Sequence, residues 1–232
     1  MKKKLKAIEA TIEVWNIDLS TVWNQRADCR KILNSAEQKR AAQFIKPADA
    51  ERFILCRGLL RRTLAGYLEK PPAGLCFDHN ENGKPFLDGS KLNFNVSHSR
   101  DRLLIAVTAG RAVGVDIEFR RDEIQMDSIA DRWFAPEERA FFQGSEKPQE
   151  TFFELWSKKE AYVKALGEGI FRELNSFAVP LGEPAGFPTI GIYDASGVAN
   201  KEWFFQTLEI DPAYAAAIVS EAPPVPVQLR TI

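Results

Sequence analysis

Asp116 and Glu118 are the side chains of this chain best placed to do chemistry. They are two carboxylates in an alternating stretch, Val113-Gly114-Val115-Asp116-Ile117-Glu118-Phe119. Successive side chains of a strand point to opposite faces, so both acids project together while Val113, Val115, Ile117 and Phe119 form an apolar face. Like charges held that close repel unless a cation or a proton lies between them. Hard divalent cations such as Mg²⁺ take such oxygen ligands, often with substrate phosphates completing the shell. Gly114, just before the pair, leaves room for something to approach. A lone D-x-E also fits the acidic outer face of a half-exposed strand.

Three further groups could join that chemistry. Trp156, Glu160 and Lys164 lie at i, i+4 and i+8 of a helical stretch and share a face. A Glu–Lys pair at this spacing is also common on solvated helices, where it contributes ~0.2–0.5 kcal/mol. His98, one of two histidines, stands between Ser97 and Ser99, a corner rich in donors that suits a phosphate. The same histidine alone could be a structural hydrogen-bonder. Gly83-Lys84-Pro85 is by composition an ordinary turn. There is no G-x-x-x-x-G-K-[ST], G-x-G-x-x-G after a strand, H-E-x-x-H or G-x-S-x-G, which argues against a P-loop kinase, a dinucleotide oxidoreductase, a zinc protease and an α/β-hydrolase.

The elements that must position these residues follow from periodicity. Strands are expected at Thr11–Ile17, Leu75–Asp78, Leu92–Val96, Arg102–Thr108, Ser176–Pro180, Thr189–Tyr193, Trp203–Ile210 and Tyr214–Ser220. Arg102–Thr108 should form a hairpin with the carboxylate strand through Ala109-Gly110-Arg111. Helices are expected from an S-x-x-Q capping box at Ser35 to about Ile45, over 50–68 after Pro47, over 127–134, from Pro136, and over 149–166. A turn is read at Ala195-Ser196-Gly197, and Ala222–Pro226 reads as a loose tail. Each half runs strand, helices, then strands, a weak duplication of elements. The halves are taken as 1–112 and 113–232.

With 232 residues, 45% hydrophobic and 27% charged, the chain can bury a full core. A net charge of −1 argues against a general nucleic-acid binder, but charge is unevenly placed. From Arg26 to Arg62 there are ten Lys/Arg against four acids; from Asp116 to Glu160, twelve acids against seven bases. That suits a polyanion held by cations at one end and through a metal at the other, or simply two solvated faces of opposite sign. Met1–Lys6 begins like a signal peptide without an apolar core, and nothing approaches the ~18 apolar residues of a membrane span. Cys29, Cys56 and Cys76 fit neither a disulfide framework nor a zinc knuckle, so the expectation is reduced thiols in a cytoplasmic protein.

In order and spacing, five segments together resemble one family. They are Gly83-Lys84-Pro85, Phe94-Asn95-Val96-Ser97-His98-Ser99, Gly114-Val115-Asp116-Ile117-Glu118, Phe134–Phe142 and Trp156-Ser157-Lys158-Lys159-Glu160-Ala161-Tyr162-Val163-Lys164. They look like the motifs of the 4′-phosphopantetheinyl transferases, of the larger single-chain type that activates peptide and polyketide synthetases. The likeness runs from Gly83 to Gly169 and faintly back to Ser35–Arg52; the last sixty or so residues carry no diagnostic motif.

The resemblance implies an α/β pseudo-dimer: two similar halves with mixed or antiparallel sheets and the active site between them. It implies Mg²⁺-dependent transfer of the phosphopantetheine arm of coenzyme A to a serine of an apo acyl or peptidyl carrier protein, by a cytoplasmic monomer with no membrane or nucleic-acid partner. By similarity Asp116, Glu118 and Glu160 would hold the metal, with Glu160 alternatively the base for the serine hydroxyl. Lys164 would neutralise the pyrophosphate, Ser97 and His98 would bind phosphate oxygens, and Gly83, Lys84 and Pro85 would meet the nucleotide. Arg52, with Lys39 or Arg40, would hold the 3′-phosphate. Ala36, Ala41 and Ala42 stand where further basic residues are expected. The alternative is another Mg²⁺-dependent phosphotransferase acting on a nucleotide diphosphate.

Overall fold

A computed structural model describes residues 8–168, 173–182, 189–190, 193–194, 202–221 and 223–232. The expected signal-like Met1–Lys6, the Ala195–Gly197 turn, Gly169 and Ala222 lie outside the described residues. Twelve strands are described: β1 (Ile12–Asp18), β2 (Asp78–His79), β3 (Pro85–Phe86), β4 (Leu92–Ser99), β5 (Arg102–Ala109), β6 (Val113–Phe119), β7 (Phe177–Ala178), β8 (Thr189–Ile190), β9 (Tyr193–Asp194), β10 (Trp203–Thr207), β11 (Tyr214–Glu221) and β12 (Val227–Thr231). The α-helices are α1 (Arg26–Ile32), α2 (Ser35–Ala41), α3 (Pro47–Leu68), α4 (Met126–Trp133), α5 (Pro136–Gln143) and α6 (Pro148–Leu166). The protein is α/β, with two four-stranded sheets ordered β12-β1-β5-β4 and β6-β11-β10-β8.

Alternation explains the layers. On β5, Leu103, Ile105 and Val107 pack with Leu60 and Leu64 of α3. The intervening Leu104 and Ala106 face the second sheet, meeting Val115 and Ile117 of β6 and Ile218 of β11. A strand buried on both faces reads as the continuous apolar run seen there. The second sheet's other face carries Ala217, Val219 and Phe205 and is covered by Ala161 and Tyr162 of α6. Burying Val115 and Ile117 contributes roughly 1.5–3 kcal/mol each and holds β6 between the layers.

Two expectations are corrected. β5 and β6 do not form a hairpin: β5 pairs with β1 and β4, while β6 pairs antiparallel with β11, Asp116 opposite Ala217. Gly110 lies at φ +74, and that turn carries the chain from one sheet to the other. The helix cap at 35 is shifted one residue: Asn34 caps and Glu37 returns the bond, a capping box of the N-x-x-E kind. Past the Ala222–Pro226 segment, β12, which sequence periodicity does not announce, pairs in parallel with β1 in the first sheet, braced by Arg230 on Glu13 (2.8 Å). α1 was not anticipated. The three cysteines are unpaired, and burial pushes the Cys56 thiol up to about 12.

Candidate active site

The acidic face of β6 is turned inward. Asp116 is 2% exposed, which removes the reading of a solvated acidic strand. Its neighbour Gly114 explains the geometry: a Cβ there would lie 2.0 Å from the carbonyl oxygen of Ala161 and 2.4 Å from the amide nitrogen of Ala165. What approaches the glycine is therefore the backbone of α6, whose half-buried stripe Trp156, Glu160 and Lys164 runs over the site.

From that seat Lys164 reaches Asp116, Nζ to Oδ1 at 2.6 Å, and also donates to the Ser97 hydroxyl at 2.9 Å. Ser97 in turn donates to the same Asp116 oxygen at 2.8 Å. The other carboxylate oxygen, Oδ2, is buried without a hydrogen-bond partner among the described residues. Buried anionic oxygens are rarely left unpartnered, because desolvation costs them heavily. Beside it, burial first and the Asp116 charge second push Glu118 up to about 7, while the Ser99 hydroxyl at 3.2 Å pulls the other way. Glu160 is raised by the same two causes, burial then Asp116, against the Lys164 cation. The Asp116 charge thus raises both other acids, while one of its own buried oxygens has no hydrogen-bond donor among the described residues.

That donor set fits Mg²⁺. Among the described residues no three carboxylate, imidazole or thiolate side chains enclose a metal by themselves. A cation at Asp116 would thus draw further oxygens from substrate phosphate and water, as Mg²⁺ does.

The first half meets this site through β4. Asn95 Oδ1 accepts from the Val115 amide (2.9 Å), Ser97 Oγ from Ile117 (3.3 Å) and Ser99 Oγ from Phe119 (3.0 Å). Side-chain oxygens at i, i+2 and i+4 thus stand in for a backbone ladder between the facing edges of the two sheets. Asn95 and Ser99 were missed from sequence, although polar residues of period two on a strand are the signal. Because β4 runs on to Ser99, Ser97 and His98 point to opposite faces and are not brought together.

His98 instead lines a cavity of about 330 Å³ with Arg52, Phe44, Phe53, Asp49 and Pro85. The surrounding wall first, then the Arg52 and Lys164 cations, hold its imidazole below the ordinary value. Arg52 donates to the carbonyl of Arg100 at 3.0 Å. Arg40 lies over the ring of Phe44 on the same rim, and Lys39 is exposed on α2. Part of the basic segment is internally matched: Arg57 and Arg61 grip the buried Glu37. A larger cavity of about 560 Å³, between β1 and α3 around Trp15, Leu59 and Tyr67, is lined by Glu13 but by none of Asp116, Glu118 and Glu160.

Gly83 adopts φ +85 in its turn. The Lys84 side chain does not line the Arg52 cavity; Nζ donates to the carbonyls of Ala165 (3.0 Å) and Val113 (3.3 Å), and burial lowers it to about 8. Behind α6, the fully buried Lys159 donates to Glu138 at 2.6 Å and to the Phe177 carbonyl at 2.7 Å. Glu138 also accepts from the amides of Ala135 and Val179. That brace, also missed from sequence, fixes the rotation of α6 and so the direction of Glu160 and Lys164.

Comparison with known proteins agrees along most of the chain. Residues 112–219 match the model of the 4′-phosphopantetheinyl transferase superfamily, and residues 20–110 match that of a 4′-phosphopantetheinyl transferase N-terminal region. The 4′-phosphopantetheinyl transferase HetI of Nostoc sp. is 37% identical over 192 residues, covering 80% of this chain and 81% of that protein. The 4′-phosphopantetheinyl transferase gsp of Aneurinibacillus migulanus is 35% identical, covering 62% and 60%. The 4′-phosphopantetheinyl transferase Sfp of Bacillus subtilis (strain 168) is 28% identical, covering 86% and 87%.

Proposed function

The chain belongs to the 4′-phosphopantetheinyl transferase superfamily, and from that premise we propose how its own residues carry out the transfer. The enzyme moves the 4′-phosphopantetheine group of coenzyme A onto a serine hydroxyl of an apo acyl or peptidyl carrier protein, releasing adenosine 3′,5′-bisphosphate. The observation that carries the assignment of roles is the buried Asp116, with one oxygen on Lys164 and Ser97 and the other unpartnered among the described residues. Asp116 and Glu118 would hold Mg²⁺, which when bound neutralises diphosphate charge, and Glu160 is left for the proton. Phosphoryl-type transfer depends mainly on such positioning and charge neutralisation.

The serine oxygen attacks the phosphorus on the pantetheine side of the pyrophosphate, the bond to the bridging oxygen breaks, and that oxygen leaves with the nucleotide. Glu160, its affinity for protons raised by burial and Asp116, takes the hydroxyl proton. Lys164 exchanges part of its contact with Asp116 for the charge developing on the leaving phosphate. The cavity of Arg52 and His98, which Pro85 also lines, takes the 3′-phosphate end, with Lys39 and Arg40 as further cations of the same basic segment and Gly83 beside the nucleotide. Ser97 acts on the metal side of β4, through Asp116 and Lys164.

We take the working unit to be a monomer of two halves, 1–112 and 113–232, with β12 of the second tied into the first sheet. Among the described residues no helix is long and apolar enough to cross a membrane. Asp116→Ala tests the roles: it should abolish carrier loading while far-ultraviolet circular dichroism stays native. Near-normal turnover in Mg²⁺ would remove Asp116 from the centre.

A further inference from the structure

The turn from Asn80 to Lys84 does something that turn composition alone does not foretell. Its shape is set internally: Asn80 Oδ1 accepts from the amides of Asn82 (3.1 Å) and Lys84 (2.8 Å), and the Asn80 amide donates to the Lys84 carbonyl at 3.0 Å. Three side-chain donors then converge on the end of α6. Asn80 Nδ2 and Asn82 Nδ2 both donate to the Gly167 carbonyl, at 2.8 and 3.0 Å, and Lys84 Nζ donates to that of Ala165 at 3.0 Å. The last carbonyls of a helix have no partner within it and carry the negative end of its dipole, so a cation and two amides are well matched to them. The fit is close. A Cβ on Gly167 would meet Asn80 Nδ2 at 2.9 Å and Lys84 Cδ at 3.1 Å.

Lys84 also donates to the Val113 carbonyl at 3.3 Å, the first residue of β6. One ammonium group therefore spans the helix that bears Glu160 and Lys164 and the strand that bears Asp116 and Glu118. It does so next to Gly114, where those two backbones touch.

We propose that Lys84 is a positioning residue, clamping the end of α6 to the start of β6, with Asn80 and Asn82 as its partners. It acts on the reaction through the seating of Glu160 and Lys164 on Asp116, not by touching the nucleotide. This inference rests on the transfer reaction proposed above.

Lys84→Met keeps the aliphatic stem and removes the donor. Its kcat for carrier loading should fall about tenfold, the scale of a sub-ångström misplacement of catalytic groups. The Mg²⁺ concentration for half-maximal rate should rise. The Kd for coenzyme A in metal-free buffer, by calorimetry, should stay within about twofold, since the nucleotide end is untouched. Hydrogen exchange of the Val163–Gly167 amides should quicken. A rise in the metal-free Kd, with or without a fall in kcat, overturns the proposal in favour of direct contact, and unchanged kcat or unchanged exchange overturns it too. If Lys84→Met does not fold, Asn82→Ala decides, with the same split expected at smaller amplitude. Wild-type protein is run alongside: a wild type that loads no carrier refutes the reaction, whereas an active wild type with an indifferent variant refutes only the clamp.

Discussion

Gly114→Ala is the smallest change that should separate the catalytic helix from the metal strand. The added Cβ would lie 2.0 Å from the Ala161 carbonyl oxygen, and ordinary van der Waals contact begins near 3.4 Å. The helix backbone must therefore retreat by the difference, about 1.4 Å, because both colliding groups are main chain and cannot rotate away. Lys164 and Asp116 now meet at 2.6 Å, so a shift of that size carries the ammonium out of hydrogen-bond range and takes Glu160 with it. Overpacking of this kind costs about 1–3 kcal/mol in stability. In a chain of this size Tm should fall by roughly 2–4 °C per kcal/mol. A misplacement near 1 Å can cost about 10²-fold in rate, so kcat should fall on that order. Calorimetry of metal-free coenzyme A binding should be near normal, since the Arg52–His98 cavity lies on the other half. A variant that melts and turns over like wild type would refute the claim that contact at Gly114 seats the catalytic helix.

Glu160→Gln should leave Mg²⁺–coenzyme A binding intact and lower carrier loading by ~10²-fold or more, the usual worth of a general base. Calorimetry beside a loading assay checks it, and a parallel loss of metal affinity would make Glu160 chiefly a ligand. Arg52→Ala and His98→Ala should weaken coenzyme A more than its 3′-dephospho analogue, since a charge-assisted contact contributes ~1.5–3 kcal/mol. Equal weakening of both ligands would move the 3′-phosphate elsewhere. Glu118 rises from 4.5 to about 7 on folding, and Glu160 and Glu138 rise in the same sense. Between those values the folded protein holds protons that the unfolded chain has released, so metal-free stability should decline as pH rises from about 4.5 through 7. Mg²⁺ binds the ionised carboxylates and should raise Tm more at pH 7.5 than at pH 5.5; the reverse order in a thermal-shift titration would contradict the assignment.

How much of this was legible depends on how local each signal was. The alternation of Val113–Phe119 announced both the strand and its paired acids, and the i, i+4, i+8 spacing placed Glu160 and Lys164 on one stripe. Gly114 announced a close approach but not of what, since its neighbour α6 begins more than thirty residues later. The partner of β6 is β11, about a hundred residues away, and no local pattern encodes such a pairing; Gly110 reads the same for a hairpin as for a crossing between sheets. β12 was hidden because Pro223, Pro224 and Pro226 precede it and mask a short edge strand. Lys84 was recognisable as a turn residue, yet its acceptors, Val113 and Ala165, lie far along the chain. Alternation stopping at Val96 puts Ser97 and His98 in one corner, but β4 runs three residues further, to Ser99, and sends them to opposite faces.

The central claim is the transfer itself, and intact-mass measurement of an apo carrier protein incubated with this enzyme, coenzyme A and Mg²⁺ tests it most directly. The account predicts that the carrier gains one phosphopantetheine on its serine, that adenosine 3′,5′-bisphosphate appears in equal amount, and that Asp116→Ala or a carrier lacking that serine gives neither. An unmodified carrier across a panel of acyl and peptidyl carrier proteins, with coenzyme A intact or merely hydrolysed, would contradict it.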